Sequence, residues 1–258
     1  SWLSSSGGID LYKQNYYGDS QENIVSFSQK LFYKNPYQSN IYTYGGGDII
    51  ETIGIPSGSS FYLGEGDDGF ISRDQIRYST IKLDNGDDIA WAKESLWNDS
   101  CLFYSSFYLG EGNDQILLDK DRHRSDGDSG NIDGNIFGEN GNDAIIIRGN
   151  GLVWNSDRRK SEISGGNGDD SIGFKKLVDG SSNPYFEGSD INLDDGNDTL
   201  DLSKINLNSV INSTANGGNG YDTLYLPNET SSTPEWISGF EKIYSGEILL
   251  LNTLRILI

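Results

Sequence analysis

Residues 165–173 of this chain read Gly-Gly-Asn-Gly-Asp-Asp-Ser-Ile-Gly, a glycine-rich turn that leads directly into an apolar residue. The turn contains Gly168 and Asp170, and Ile172 follows two positions later. The same Gly-x-Asp-x-apolar pattern occurs eight times along the chain. Because the intervals between successive aspartates run only from 20 to 29 residues, the pattern indicates one structural unit repeated in tandem.

The eight copies align column for column. The turn aspartates are Asp48, Asp68, Asp88, Asp114, Asp143, Asp170, Asp198 and Asp222. The glycines two residues earlier are Gly46, Gly66, Gly86, Gly112, Gly141, Gly168, Gly196 and Gly220. The apolar residues two positions after each aspartate are Ile50, Phe70, Ala90, Ile116, Ile145, Ile172, Leu200 and Leu224. A second apolar column, seven residues before each aspartate, is Ile41, Phe61, Ile81, Phe107, Ile136, Ile163, Ile191 and Ala215.

Around each turn the apolar residues alternate with period two, as in Ile145 and Ile147, which is typical of a strand with one buried face. A single coil of this kind cannot bury its own apolar face, so neighbouring coils must stack. The pattern therefore predicts an all-β, right-handed parallel β-helix or β-roll-like solenoid of about eight coils. At a strand spacing of about 4.8 Å, the rod would be on the order of 40 Å long.

The turns have the composition of a calcium site. Glycines permit positive φ and let backbone carbonyls point at an ion, and calcium takes six to eight oxygen ligands. A column of ionised aspartates spaced about 4.8 Å apart would otherwise repel by roughly 3.5 kcal/mol per pair at an effective dielectric of 20. We expect one calcium ion per pair of adjacent coils, in a single file, with the Asp48 turn the most doubtful. The alternative is that these are ordinary Gly, Asn and Asp turns.

Composition narrows the functional classes. The formal net charge is −20, from 39 acidic and 19 basic residues, so a nucleic-acid or anionic-lipid partner is disfavoured. A single cysteine excludes an internal disulfide, which leaves metal ions as the available cross-link for an extracellular protein. The sequence contains no apolar run long enough to predict a membrane span.

The residues 165–173 match the G-G-x-G-x-D-x-U-x consensus, and the region from about 39 to 226 resembles the RTX, or haemolysin-type, calcium-binding repeat family. The resemblance implies that each turn aspartate supplies the side-chain ligand and that the glycine positions supply carbonyls. It also implies a bacterial protein exported by a type I secretion system, without an N-terminal signal, which folds in extracellular calcium.

Several turns depart from the family pattern. Only the turns of Asp170 and Asp222 keep both leading glycines. The first of these glycines is replaced by Leu63, Leu109 and Leu193, and the second by Asp84, Glu139 and Asp194. The Asp48 turn has Thr43 and Tyr44 at these positions.

Three regions follow from this reading: 1–38 as an N-terminal cap or weak first coil, 39–226 as the solenoid, and 227–258 as a C-terminal cap or the start of a following region. In the first region Gly18–Ile24 imitates the turn, with Glu22 expected at the aspartate position. An N-terminal group of tyrosines could cap the solenoid end or stack on sugars; its members are Tyr16, Tyr17, Tyr33, Tyr37, Tyr42 and Tyr44.

The chain lacks the H-E-x-x-H motif of zinc proteases and the G-x-S-x-G motif of lipases. One enzymatic alternative remains, a polysaccharide lyase or epimerase. Its candidate groups are Lys120, Arg122, His123, Arg124 and Arg158 in two insertions, together with a carboxylate and a tyrosine. The same charges could equally form solvated loops. We expect a non-enzymatic, extracellular structural or adhesive segment, with calcium, a cell-surface polysaccharide or a second copy of itself as partners.

Overall fold

The computed structural model describes residues 2–3, 15–27, 37–53, 56–94, 101–120, 132–149, 151–153, 160–175, 185–228 and 230–252. In the N-terminal half the strands are β1 Trp2–Leu3, β2 Asn15–Tyr17, β3 Ile24–Phe27, β4 Asn40–Tyr42, β5 Ile49–Thr52, β6 Ser60–Glu65, β7 Gly69–Ser72, β8 Ile76–Arg77, β9 Thr80–Asn85, β10 Ile89–Glu94, β11 Leu102–Glu111 and β12 Gln115–Lys120.

In the C-terminal half they are β13 Ile132–Asn140, β14 Ala144–Arg148, β15 Gly151–Val153, β16 Ser161–Asn167, β17 Ser171–Lys175, β18 Tyr185–Glu187, β19 Ser189–Gly196, β20 Thr199–Asp201, β21 Thr214–Asn216, β22 Asn219–Gly220, β23 Thr223–Leu226, β24 Ile237–Ser238, β25 Lys242–Ser245 and β26 Ile248–Asn252. A short 3₁₀ helix at Leu207–Ser209 is the one helix among the described residues.

The strands form two long sheets. Sheet A has the order β1-β3-β5-β7-β10-β12-β14-β17-β20-β23-β25-β26, and sheet B has the main order β2-β4-β6-β9-β11-β13-β16-β19-β21-β24. From β1 to β25 the strands of these two orders alternate between the sheets along the chain, and the short strands β8, β15, β18 and β22 pair at the side of sheet B. Neighbours within each sheet are parallel except β25 and β26. The molecule is therefore an all-β parallel solenoid, with about seven full turns between its eight turn aspartates, as the sequence pattern predicted.

The two apolar columns form the core between the sheets. Each of their sixteen side chains is at most 1% exposed. They are in register from coil to coil, since Ile145 pairs with Ile172 in sheet A and Ile136 pairs with Ile163 in sheet B. Phe61, Phe70 and Phe107 pack edge to face within this core, with ring centroids 5.0 and 5.7 Å apart. Stacking of equivalent residues thus creates the core that one coil lacks.

The sheets continue beyond both ends of the repeat region. At the start, β3 pairs with β5 so that Ile24 lies beside Ile49. This register places Asn23, and not Glu22, next to Asp48, so our assignment of Glu22 to the aspartate position was wrong. At the other end, β24 and β25 add parallel strands to both sheets, and β26 pairs antiparallel with β25.

A buried serine column supports the corner at which each coil enters sheet B. It stands nine residues before the turn aspartates and consists of Ser39, Ser59, Ser79, Ser105, Ser161, Ser189 and Ser213. The backbone N–H of Ser39 donates to Ser59 Oγ at 3.2 Å, and Ser59 N–H donates to Ser79 Oγ at 3.1 Å. We call this column the serine ladder. It satisfies backbone donors where the regular sheet pairing is interrupted.

Close backbone approach at the turn glycines gives a direct test of the stack. A Cβ on Gly141, whose φ is +129°, would collide with the Gly112 carbonyl of the preceding coil. On Gly173 the nearest neighbour of a Cβ is Asp201 Cβ at 3.9 Å. We expect Gly141→Ala to cost about 3 kcal/mol or more, since the positive φ alone costs about 1–2 kcal/mol. Gly173→Ala should stay within about 0.5 kcal/mol of wild type.

Urea unfolding of both variants measures this difference. Equal stability of Gly141→Ala and Gly173→Ala would show that the coils are not packed as closely as the structure has them.

Candidate metal-binding corner

The eight turn aspartates lie in one buried column at the corner where sheet B leads into sheet A, and each is between 0% and 4% exposed. They are joined by hydrogen bonds along the rod. The N–H of Asp143 donates to Asp170 Oδ1 at 2.8 Å, and the N–H of Asp170 donates to Asp198 Oδ1 at 2.7 Å. Equivalent bonds of 2.6 to 2.9 Å link every neighbouring pair from Asp48 to Asp222. We call this column the aspartate ladder.

Both ends of the ladder use residues that the sequence reading missed. Asn23 is 1% exposed, and its N–H donates to Asp48 Oδ1 at 2.6 Å. At the opposite end Glu241 is 8% exposed, and its Oε2 accepts the N–H of Asp222 at 3.0 Å. Two signals in the sequence could have identified them: a buried strand follows directly at Ile24–Phe27 and Lys242–Ser245, and each residue carries a side-chain oxygen.

The second carboxylate oxygen of each ladder aspartate is buried and has no hydrogen-bond partner. This holds for Oδ2 of Asp48, Asp68, Asp88, Asp114, Asp143, Asp170, Asp198 and Asp222. Burying a polar atom without a partner costs about 1–3 kcal/mol, and more when the atom is charged. Because the same unfavourable burial recurs at eight Oδ2 atoms in one column, we infer that these oxygens need a binding partner that no protein group supplies.

Burial also raises the pKa of the seven ladder carboxyls from Asp48 to Asp198. It is the largest cause at each of these seven positions and is reinforced by neighbouring carboxylates, while the hydrogen bond from the adjacent backbone N–H acts in the opposite direction. The pKa rises to about 8 at Asp88, to about 7 at Asp68, Asp143 and Asp198, and to about 6 at Asp114 and Asp170. For Asp48 the pKa is raised for the same first reason.

Three coils leave a cradle next to the partnerless oxygen. A Cβ on Gly165 would lie 2.5 Å from Asp170 Oδ2 and 2.7 Å from the carbonyl oxygen of Leu193 in the next coil. Cβ atoms on Gly138 and Gly217 would lie 2.5 Å from Asp143 Oδ2 and 2.8 Å from Asp222 Oδ2, again close to a carbonyl of the next coil. These positions exclude a side chain and bring a carboxylate and a carbonyl oxygen together.

The other coils carry a side chain at the equivalent position, five residues before the aspartate. It is leucine at Leu63, Leu83, Leu109 and Leu193, each 0% exposed, and threonine at Thr43. The corner is therefore not uniform. The turns of Asp143, Asp170 and Asp222 fit an ion bound beside Oδ2 better than the turns lined by leucine.

The backbone has positive φ four residues before the turn aspartates, both in coils with glycine there and in coils with another residue. It is 73° at Asp84, 75° at Glu139 and 69° at Asp194, where the family pattern would have glycine. The intervening coils have Gly110 and Gly166, and a Cβ there would collide with the carbonyl of the preceding coil. The departures from the pattern thus keep the turn geometry, and acidic residues alternate with glycine along the rod.

The glycines two residues before the aspartates, from Gly46 to Gly220, also lie in one column. At Gly86, Gly112 and Gly168 a Cβ would collide with the backbone carbonyl of the same glycine in the preceding coil. These carbonyls therefore point along the stack. The residues between glycine and aspartate form a second, exposed ladder, in which the hydrogen bonds run in the opposite direction along the rod. Asn142 N–H donates to Asn113 Oδ1 of the preceding coil at 3.0 Å, and Asp169 N–H donates to Asn142 Oδ1 at 2.7 Å.

The atoms at this corner that could bind a metal ion are all oxygens. Among the described residues no group of three or more His, Cys, Asp or Glu side chains converges on one point, so an ion would be held by one or two carboxylates together with backbone carbonyls. Oxygen-only donor sets suit hard cations such as calcium, and calcium tolerates irregular geometry better than magnesium does. The arrangement fits the predicted ion most clearly at the three cradles.

Most residues of the enzymatic alternative fall in parts of the chain that the structure does not describe. Arg122, His123, Arg124 and Arg158 lie outside the described residues, as does Tyr33 of the N-terminal tyrosine group. At the described ends of the insertions, the charges pair with one another. Arg148 forms an ion pair with Asp119, and Lys160 Nζ lies 2.9 Å from Asp190 Oδ2.

No protein-family model matches the chain, and no match was found among curated proteins or solved structures. Over the part of the chain that is described, no helix has the length and apolar character required to cross a bilayer.

The raised pKa values predict an unusual pH dependence. In the unfolded chain an aspartate titrates near 3.9, whereas in the folded ladder the values are about 6 to 8. The folded state therefore holds more protons, so its stability is greatest below the unfolded pKa and declines as pH rises through 6 to 8. In excess EGTA we expect the melting temperature to fall over that range. In millimolar calcium it should be held or rise, since ligands bind deprotonated.

Thermal melts at half-unit pH steps, with calcium or with EGTA, measure both profiles. Identical profiles in the two buffers would contradict an ion at the ladder.

Proposed function

We propose that this chain is an extracellular, calcium-stabilised solenoid that serves as a structural or adhesive segment of a secreted protein, and that it is not a catalyst. The observation that carries the proposal is the file of buried aspartate oxygens without partners. Calcium bound beside them would supply positive charge and coordination that the protein lacks. The likeness of residues 165–173 to the RTX consensus supports the same ion.

Charge favours an ion over an empty corner at neutral pH. Neighbouring ionised carboxylates about 4.8 Å apart repel by roughly 3.5 kcal/mol per pair at an effective dielectric of 20. A domain is typically stable by only about 5–15 kcal/mol. Protonation would also relieve the repulsion, but it becomes costly once the pH exceeds the raised pKa values. Calcium would relieve it at the pH of most extracellular fluids.

The ligands would be the ladder carboxylates and the carbonyls of neighbouring coils, first at Asp143, Asp170 and Asp222. These carboxylates would bridge successive coils, because each already holds the preceding coil through Oδ1. An ion on Oδ2 would add a second link along the same file. Calcium would thereby replace the disulfides that a chain with one cysteine does not form.

The calcium chemistry supports an extracellular location. Extracellular calcium modules commonly bind with dissociation constants of about 10⁻⁴–10⁻³ M, which leaves them empty at cytosolic calcium. A rod of this kind would stay unfolded inside the producing cell and fold outside it, consistent with the type I export that the RTX resemblance implies. Long, regular outer sheet faces suit a spacer or an adhesive surface.

Removal of calcium tests the proposal directly. We expect excess EGTA to reduce the strand signal in circular dichroism and to lower the melting temperature by more than about 10 °C, since 1 kcal/mol corresponds to about 2–4 °C in a protein of this size. Calcium added back should restore the fold with a midpoint near 10⁻⁴–10⁻³ M. Magnesium at the same concentration should not. An unchanged melt in EGTA would refute the proposal.

A matched pair of variants locates the ion. Asp170→Asn removes a ladder charge but keeps the side-chain shape, whereas Asp169→Asn removes a neighbouring exposed charge whose oxygen still accepts a hydrogen bond. In calcium, Asp170→Asn should lower stability by about 1–3 kcal/mol through lost coordination and hydrogen bonding. In EGTA it should be neutral or stabilising, because a buried charge is gone. Asp169→Asn should behave as wild type in both buffers.

Calcium titrations monitored by circular dichroism give the comparison. Equal calcium dependence of the two variants would place the ion away from the aspartate ladder.

A further inference from the structure

The outer face of sheet B carries a trough along its N-terminal half, next to the corner supported by the serine ladder. Its floor is a column of small, half-buried polar side chains, Asn40, Ser60, Thr80 and Ser106, one per coil and in register. They point outward because the adjacent residues, such as Phe61 and Ile81, are fully buried in the core. Hydroxyl and amide groups therefore recur along the rod at the spacing of the coils.

One wall of the trough is aromatic. Tyr17, Tyr42 and Tyr62 stack in parallel, with ring centroids 5.4 and 4.7 Å apart. The wall continues through Lys82, whose Nζ lies 5.1 Å from the centroid of the Tyr108 ring. Cross-strand aromatic pairs of this kind stabilise a sheet without any ligand.

The opposite wall is formed by Tyr78 and Tyr104, which also stack on each other, and Tyr78 contacts the Phe103 ring edge to face at 5.4 Å. Tyr78 and Tyr104 precede buried serines at a corner that requires left-handed backbone, and both have φ of 49°. Neighbouring coils place Gly58 and, further along, Gly188 at the same position. A bulky residue with positive φ is unusual, and such strain concentrates at functional sites. Tyr78 is nevertheless 58% exposed, so burial of its ring does not offset that strain.

Tyr78 also has an open ring face. One face stacks on Tyr104, with centroids 5.5 Å apart and planes 15° apart. On the other side the adjacent coil has Gly58, which carries no side chain, and the nearest atom to a Cβ there would be Gln38 Cγ, at 3.3 Å. A slot floored by glycine thus lies between Tyr78 and Gln38. The backbones of Gln38 and Tyr78 are two coil spacings apart, about 9.6 Å, and the Gln38 side chain borders the slot with its Cγ 3.3 Å from the position of a Gly58 Cβ. The space next to Tyr78 is thus the size of one stacked ring.

The charges here exclude a polyanion. The two cations at the trough are already engaged, Lys82 on Tyr108 and Arg77 with the Gln75 side chain and the Phe103 ring. The exposed face beyond the tyrosine wall carries Glu65 and Asp84, and the chain as a whole has a net charge of −20. A ligand with carboxylates or sulfates would be repelled.

We propose that this trough, formed by Tyr62, Tyr78, Tyr104, the polar floor and the Gly58 slot, binds a neutral polysaccharide extended along the rod axis. Sugar rings stack on open aromatic faces, and their hydroxyls pair with side-chain hydroxyls and amides. The polar floor residues recur once per coil, about 4.8 Å apart, and would therefore match a polymer whose sugar units recur at a similar distance. The inference specifies the adhesive part of the proposed function and rests on it, but it uses none of the ladder residues.

Affinity electrophoresis in millimolar calcium tests the trough with four neutral probes, hydroxyethyl cellulose, xyloglucan, galactomannan and dextran, and with alginate as the anionic probe. The wild-type chain should be retarded by at least one neutral probe and not by alginate. Tyr78→Asn should weaken that binding at least tenfold, while its melting temperature stays equal or rises, since asparagine tolerates left-handed backbone. Gly58→Asn should do the same by filling the slot.

Tyr225→Ala is the matched control, because Tyr225 is an exposed tyrosine on sheet A that stacks on Tyr244. It should bind as wild type. Retardation by no neutral probe, retardation by alginate alone, or full binding by Tyr78→Asn would each overturn the proposal. Failure of calcium stabilisation would appear separately, as a wild-type melt that EGTA does not change.

Discussion

A buried carboxylate at one corner of every coil is the constraint on which the rest of the structure depends. Its Oδ1 accepts the backbone N–H of the equivalent residue in the preceding coil, for example Asp170 N–H to Asp198 Oδ1 at 2.7 Å. The corner needs this acceptor because the chain leaves sheet B there and regular pairing stops. Glutamate at position 241 provides the same acceptor at one end, for the N–H of Asp222, whereas at the other end Asn23 donates its backbone N–H to Asp48 Oδ1. At the C-terminal end a glutamate oxygen therefore takes the place of the aspartate oxygen.

The second oxygen of the carboxylate, Oδ2, is the unfavourable part of this arrangement, because it is buried without a hydrogen bond. The amide oxygen of an asparagine could accept the same hydrogen bond, yet the eight repeat positions all carry aspartate and leave Oδ2 buried without a partner. A negative charge kept in this position is explained if an ion shares it. The glycine cradles at Gly138, Gly165 and Gly217 indicate where the ion would have room. Coils lined by leucine bury more apolar surface at the same place and give up that room.

The two corners of a coil hold sheet B, and the apolar core holds the rest of the coil. The aspartate ladder and the serine ladder fix the two ends of the sheet B strand in every repeat coil except the one that has Gly134 in place of the serine, while sheet A and the core are held by apolar stacking. The segments that return the chain to sheet B are free to differ in length, which explains intervals as different as 20 and 29 residues between ladder positions. The outer faces are also free to vary. Tyrosines gather on the N-terminal half of sheet B, and the same column continues as Ser164, Asn192 and Asn216 in the C-terminal half.

The sequence by itself determined the solenoid, because the glycine, aspartate and apolar columns repeat in fixed register and an apolar face of one coil can be buried only by the next. It also located the candidate site, since the column from Asp48 to Asp222 is visible without coordinates. Tertiary structure alone decided which oxygen is bonded and which is left without a partner, because that depends on the axial offset between coils. It also identified Asn23 in place of Glu22, since a shift of one residue is settled by strand pairing. The tyrosine trough likewise required the fold, because its walls are distant in sequence and meet only when successive coils stack.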